Sequence, residues 1–248
     1  MTTRWKLLME YDGRAFVGWQ RQENGLSVQQ ALETALTRLT NGQVVQTTAA
    51  GRTDSGVHAR GQCVHFDLEK SFSAETIRDG LNAHLRPYPA SVLDACETTP
   101  DFSARFDALQ RSYLYRIVNR PSPLTFERGL AWQVPFALDT EAMQQGAQYL
   151  IGKHDFSSFR ATQCQAKSPV RTLDRLDVTR EGPDVFIHAE ARSFLHHQVR
   201  NIVGSLKLVG YGKWQPEDMA KALAARDRRA AGPTAPPDGL FFMRVDYP

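Results

Sequence analysis

"VVQTTAAGRTDSGVHARGQCVHFDL", residues 44–68, sets the plan of the first part of the chain. Its ends, VVQTT and CVHFDL, are rich in β-branched and aromatic residues and read as strands. Between them lies AAGRTDSGVHARGQ (49–62), where Gly51 and Gly56 flank Arg52, Thr53 and Asp54. Glycines at that spacing mark a bend. The segment is therefore strand, bend, strand, with a lone carboxylate at the turn.

Working outward, RWKLLMEYDG (4–13) reads as a strand that ends in a turn at Asp12-Gly13. RAFVGWQRQENG (14–25) is a glycine-punctuated loop carrying Arg14 and Arg21. SVQQALETALTRL (27–39) has Ser27 and Gln30 in capping-box spacing, then Val28, Ala31, Leu32, Ala35, Leu36 and Leu39 at helical intervals. SAETIRDGLNAHL (73–85) is a second helix with Ser73 as its N-cap, and SVLDACETT (91–99) returns as a strand. The order β-α-β-β-α-β is that of a ferredoxin-like unit.

The remainder repeats this plan loosely. RSYLYRIVN (111–119) alternates as a strand, and DTEAMQQGAQYLIG (139–152) is a helix capped by Asp139. TLDRLDVTR (172–180) and PDVFIHAEA (183–191) read as an antiparallel pair. SFLHHQVRNIVGSLKLVG (193–210) reads as one long helix with a single apolar face. A short helix, PEDMAKALAARD (216–227), a proline-rich loop, GPTAPPDG (232–239), and a strand, LFFMRVDY (240–247), complete the chain. The expected fold class is α+β: two ferredoxin-like, RNA-recognition-like halves, 1–104 and 105–248, sharing a mostly antiparallel sheet with a central cleft.

Of the 248 residues, 42% are hydrophobic and 23% charged, which suits a globular protein. No apolar run approaches the roughly 20 residues of a membrane span. The N-terminus lacks the form of a signal peptide. The three cysteines, Cys63, Cys96 and Cys164, lack metal-ligand spacing and read as reduced thiols of a cytoplasmic protein.

Net charge is only +3, but 23 of the 30 basic residues are arginine. Arginine's planar fork suits phosphate and nucleic acid; a genome rich in arginine codons gives the same bias. Distribution points to a polyanion. Residues 105–128 hold five arginines against Asp107 and Glu127, and residues 192–214 hold Arg192, Arg200, Lys207 and Lys213 with no acid.

Asp54 has two readings: a turn residue bonded to its own backbone, or an ionised carboxylate held out as nucleophile or general base. Arg52, two residues away, favours the ionised form. His196 and His197, adjacent on the expected helix, would diverge by about 100° and make no paired metal site. Arg200, on the same face as His196, would seek a carboxylate or phosphate. Tyr113 and Tyr115 alternate on one strand, so both face one way, to stack a base or to fill a sheet face. The absence of GxGxxG, Walker A, CxxC and GxSxG motifs implies no nucleotide cofactor, no flavin and no structural metal.

Six blocks in order carry a resemblance. They are EYDGRAFVGWQRQ (10–22), AAGRTDSGVHARGQ (49–62), DFSARFDALQRSYLYRI (101–117), HDFSSFRATQCQ (154–165), SFLHHQVRNIVGSL (193–206) and GLFFMRVDYP (239–248). Together they resemble the tRNA pseudouridine synthase A family over nearly the whole chain. The resemblance implies isomerisation of uridine to pseudouridine at positions 38, 39 and 40 of the tRNA anticodon stem-loop, without cofactor or metal, by a homodimer. It makes Asp54 the nucleophile, pairs Arg200 with it, and sets Tyr113 and Leu240 against the base. Arg52 would assist flipping of the nucleotide. Arg14, Arg21 and His58 are further candidate RNA contacts, named apart from the resemblance. One departure is visible: Ser55 follows Asp54 where the family often has alanine.

Overall fold

The computed structural model describes residues 2–248. In chain order its elements are β1 (Thr3–Tyr11), α1 (Val28–Leu39), β2 (Thr48–Ala49), β3 (His58–Leu68), α2 (Ala74–Leu85), β4 (Ala90–Thr98), β5 (Gln110–Asn119), β6 (Trp132–Val134), α3 (Thr140–Gln148), β7 (Gly152–Asp155), β8 (Val170–Glu181), β9 (Asp184–Ala191), α4 (Gln198–Gly210), α5 (Asp218–Ala225) and β10 (Leu240–Asp246). The fold is α+β with mostly antiparallel strand pairing. Among the described residues no helix is long and apolar enough to cross a membrane. The chain forms two compact units. One runs to Leu109 and regains Phe241–Pro248; the other is Gln110–Leu240.

In the first unit β3 is central. β1 lies antiparallel along one edge, with β4 antiparallel beyond it. The other edge has two short partners: β2 is antiparallel at His65 and Val64, and β10 is parallel at His58 and Ala59. Alternation along β1 buries Trp5, Leu7, Met9 and Tyr11 on one face. Helices α1 and α2 start where the sequence implies: Ser27 accepts the Gln30 N–H and Ser73 that of Thr76. Leu32, Leu36, Ile77 and Leu81 of these helices are fully buried.

Of the expected strand at VVQTT only Thr48 pairs, as the first residue of the two-residue β2. Glu33 on α1 is the reason. Its Oε1 accepts the Thr47 N–H and the Thr47 hydroxyl, each at 3.1 Å, and the Gln29 side chain at 3.0 Å. Thr47 thus bonds a helix carboxylate instead of a neighbouring strand, and pairing begins only at Thr48. Arg21 completes this cluster, donating to Glu33 Oε2 at 2.7 Å.

In the second unit the strand order is β5-β9-β8-β7, all antiparallel, with β6 parallel to β5. Strands β6 and β7 are too short to be visible as sequence patterns. Asp139 caps α3 by accepting the Ala142 N–H at 2.9 Å. Helix α4 differs from expectation. It begins at Gln198, because His197 has a left-handed backbone with φ 62°. The Gln198 side chain folds back to accept the Leu195 N–H at 2.8 Å. His196 and His197 therefore lie outside the helix, with ring centroids 4.0 Å apart. α4 is also buried on more than its apolar face: Asn201, Gly204 and Ser205 are covered as well.

The Glu33 cluster gives a stability test. Glu33→Ala strands the buried Thr47 N–H, a loss of about 2–4 kcal/mol. Urea denaturation should show that loss; a change below about 0.5 kcal/mol, the range of neutral surface substitutions, would mean that Thr47 is satisfied some other way.

Candidate active site

Asp54 lies on a bend gripped by its own backbone neighbours. The Val57 N–H donates to the Asp54 carbonyl at 3.1 Å, closing a turn in which Gly56 has φ 78°. The Trp19 N–H donates to the Thr53 carbonyl at 3.0 Å. Thr53 is buried, and its hydroxyl lies 2.8 Å from the Tyr11 hydroxyl. One residue on either side, Arg52 is exposed and Asp54 half-buried. The backbone through Arg52, Thr53 and Asp54 therefore alternates: Thr53 points inward as an anchor and its neighbours point outward.

The loop of residues 14–25 packs against this bend at glycines. A Cβ on Gly18, whose φ is +111°, would lie 2.8 Å from the Thr53 carbonyl oxygen and 3.2 Å from the Asp54 carbonyl carbon. A Cβ on Gly13 would lie 2.1 Å from the Val57 carbonyl oxygen. Only glycine permits such backbone contact. Ser55, at the position of the family's alanine, reaches the Phe16 carbonyl at 3.4 Å.

The Tyr11 phenol is pushed up to about 12 by burial, with hydrogen bonds to Thr53 and Gln62 pulling the other way. It is a neutral hydroxyl at physiological pH. Asp12 is held below the ordinary carboxylate range: partial burial opposes ionisation, but the Arg14 guanidinium and backbone N–H outweigh it. Burial pushes the Cys63 thiol up to about 11, so it carries little thiolate.

Several expected RNA contacts have partners within the chain. Arg14 folds onto Asp12, its Nε 2.9 Å from Oδ2. Arg21 is committed to Glu33. His58 is 2% exposed, accepts the Gly13 N–H at Nδ1 and stacks on Phe241 with centroids 4.7 Å apart. It ties the start of β3 to Gly13, which lies against the Val57 carbonyl of the bend. In the basic stretch 105–128, Arg116 is paired with Glu127 and Asp184, and Arg111 donates to the Arg192 carbonyl. These pairs had no sequence signal, because the partners are distant or belong to loops.

In the second unit, Tyr113 is 8% exposed and makes an edge-on contact with Phe194, centroids 5.0 Å apart. Tyr115 is fully buried and donates to the Pro236 carbonyl at 2.8 Å, so it fills the sheet face and is not placed to stack a base. Desolvation raises the Tyr115 phenol well above its ordinary value; the Arg200 charge pulls down and Asp238 pushes up. Arg200, in the first turns of α4, donates from Nε to the Ala235 carbonyl at 2.8 Å. Leu240 is buried beside Gly239, whose Cβ would lie 2.8 Å from the Tyr115 ring. Tyr11, Thr53 and the residues around Ala235 were missed by sequence reasoning. Only the period-2 placement of Thr53 between two charged residues could have signalled its inward direction.

Comparison with known proteins gives the class. The family model described as tRNA pseudouridine synthase matches residues 7–107 and 147–248. A protein of Sinorhizobium fredii named tRNA pseudouridine synthase A is 58% identical over 246 residues, covering 98% of this chain and 99% of that one. The like-named protein of Paramagnetospirillum magneticum is 59% identical over 244 residues, covering 98% and 95%. The chain belongs to the tRNA pseudouridine synthase family. It is an isomerase.

The Tyr11–Thr53 bond is open to test. Tyr11→Phe leaves the buried Thr53 hydroxyl without that partner, at a cost of about 1–2 kcal/mol in urea unfolding at neutral pH. The phenol's raised value also sets a pH dependence. The unfolded chain ionises its tyrosines near pH 10, whereas folded Tyr11 holds its proton to about 12. Its contribution is complete below about pH 10 and is lost as pH rises through about 12. Stability should fall less steeply over that window in Tyr11→Phe than in wild type. Equal slopes would mean that Tyr11 is not shielded from solvent.

Proposed function

We propose that this protein converts uridine to pseudouridine in the anticodon stem-loop of tRNA, at positions 38, 39 and 40, with Asp54 as nucleophile. The observation that supports it best is the grip on the 53–57 bend. A free aspartate turn would not need a buried threonine anchor, a backbone clamp from Trp19 and glycine-only contacts at Gly13 and Gly18. Such restraint suits a carboxylate that must meet a reacting atom within about half an ångström.

The chemistry needs little else. The N1–C1′ bond breaks, the uracil turns, and a C5–C1′ bond forms; the C5 proton leaves and N1 gains one. No atom other than exchanged protons enters or departs, so the reaction calls for no redox cofactor. Asp54 adds to the nucleotide at C1′ or at C6. The target must leave its stack at a cost of a few kcal/mol, least for a base in a loop or at a stem end. Tyr113 against that base is worth about 1–3 kcal/mol, enough to offset much of it. In this reading Arg200 keeps the carboxylate ionised, Leu240 packs on the base and Arg52 helps turn the nucleotide out. His58, being buried, positions the bend instead of touching RNA.

The two units are read as RNA-recognition-like halves. The first fits a ferredoxin-like plan, with antiparallel neighbours in the order β4-β1-β3-β2. Phosphates of the A-form stem are read through shape by basic side chains. The same reading makes the protein a cytoplasmic homodimer.

Release of tritium from [5-³H]uridine-labelled tRNA tests the proposal, because bonding C5 to the sugar expels its hydrogen. Wild type should release label in EDTA. Asp54→Ala should release none, with tRNA affinity within a few-fold of wild type. Release by Asp54→Ala at the wild-type rate would return Asp54 to the status of a turn residue. Affinity for tRNA should also fall steeply as salt rises; a flat response would remove the phosphate contacts from the account.

A further inference from the structure

The second unit contains a built device whose outlet is Arg200. The proline-rich segment 232–236 runs as a strap along α4, joined to it at nearly every residue. The Gly232 N–H donates to Ser205 Oγ at 2.8 Å. Pro233 passes so close that a Cβ on Gly204 would lie 1.7 Å from its carbonyl oxygen. The Thr234 hydroxyl donates to Asn201 Oδ1 at 2.7 Å. The Ala235 N–H donates to the Arg200 carbonyl at 3.1 Å, while Arg200 Nε donates to the Ala235 carbonyl at 2.8 Å. The Pro236 carbonyl accepts from Tyr115.

Arg228 braces the far side. Its Nη1 donates to the Gly232 carbonyl at 2.9 Å, and its Nη2 lies 3.1 Å from both Asn201 Oδ1 and Thr234 Oγ1. The hydrogen-bond roles are mutually consistent. The Thr234 hydroxyl gives its one proton to Asn201 and accepts from Arg228. The Asn201 amide turns its oxygen to both and donates its nitrogen to the Phe159 carbonyl at 2.8 Å.

A strap that merely covered α4 would be served by apolar packing. This one ends in a reciprocal pair of bonds with residue 200, the second of which grips the root of a guanidinium. Arginine carries about 2 kcal/mol of rotamer freedom. Fixing Nε sets the plane of the fork before any ligand arrives, which is what a reaction dependent on accurate placement requires.

We propose that Thr234, Asn201 and Arg228 are positioning residues that act through Arg200: they fix Ala235, and Ala235 fixes the guanidinium. This rests on Arg200 serving the isomerisation. Thr234 is the residue to test, since it is half-buried and Thr234→Val removes the hydroxyl at almost constant volume.

The experiment is a double-mutant cycle in single-turnover tritium release, with Thr234→Val made alone and in an Arg200→Lys background. The tRNA Kd and the urea midpoint are measured for every protein. Alone, Thr234→Val should slow the step about tenfold or more, with Kd within about twofold, while Thr234→Ser, which keeps the hydroxyl, stays near wild type. In Arg200→Lys, where the fork is gone, Thr234→Val should have no further effect. The same fold-loss in both backgrounds would overturn the proposal, as would a lowered urea midpoint with an unchanged rate. Arg200→Lys turning over at the wild-type rate would instead remove the underlying role of Arg200, an outcome distinct from either.

Discussion

The buried hydroxyl pair of Tyr11 and Thr53 is the constraint on which the candidate site depends. A bend between two strands has lost the sheet as a source of hydrogen bonds. Each residue fixed there costs about 1–2 kcal/mol of backbone entropy. The bend recovers this from outside itself, through Tyr11 of β1 and Trp19 of the preceding loop, while His58 at the start of β3 ties down Gly13 beside it. Each bond contributes about 1 kcal/mol, so none would suffice alone. The close contacts at Gly13 and Gly18 let the 13–19 loop lie directly on the bend, which explains two glycines that would otherwise be a cost in flexibility.

Under the proposed roles of Asp54 and Arg200, each unit holds its own side chain in a different way. An aspartate is short, so placing its carboxylate means fixing the backbone beneath it. An arginine is long, so fixing its backbone is not enough, and the side chain must be held partway along. The reciprocal bonds between Arg200 and Ala235 do this, and the strap exists to keep Ala235 in place. The acid-free run from residue 192 to 214 suits a polyanion, but Asn201, Gly204 and Ser205 within it are spent on the strap.

Much of the fold was legible where one local rule decided the outcome. Ser27, Ser73 and Asp139 marked helix starts because a cap acts within three residues. The alternation of RSYLYRIVN and PDVFIHAEA marked β5 and β9 because a half-buried strand has period two. Legibility failed where a distant partner intervened. Val44 is 84% exposed and Thr47 bonds Glu33, so a segment of high strand propensity makes almost no strand. Left-handed His197 shortened α4 although the apolar spacing continued through Leu195. For the candidate site, the GRTD and VRN stretches of the resemblance marked Asp54 and Arg200 as candidates. Composition does not separate the arginines by partner: Arg14, Arg21 and Arg116 each meet a carboxylate of the chain itself, which a count of basic residues does not reveal.

Amide hydrogen exchange at Trp19 and Val57 is the most direct measurement of the central claim, that the Asp54 bend is rigid before RNA arrives. Both N–H groups donate within the clamp, to the Thr53 and Asp54 carbonyls. If the clamp is real, both should exchange only through large-scale opening, with protection close to that of amides in β1 and β3. Exchange within about tenfold of unfolded-chain rates, as for a mobile loop, would contradict it.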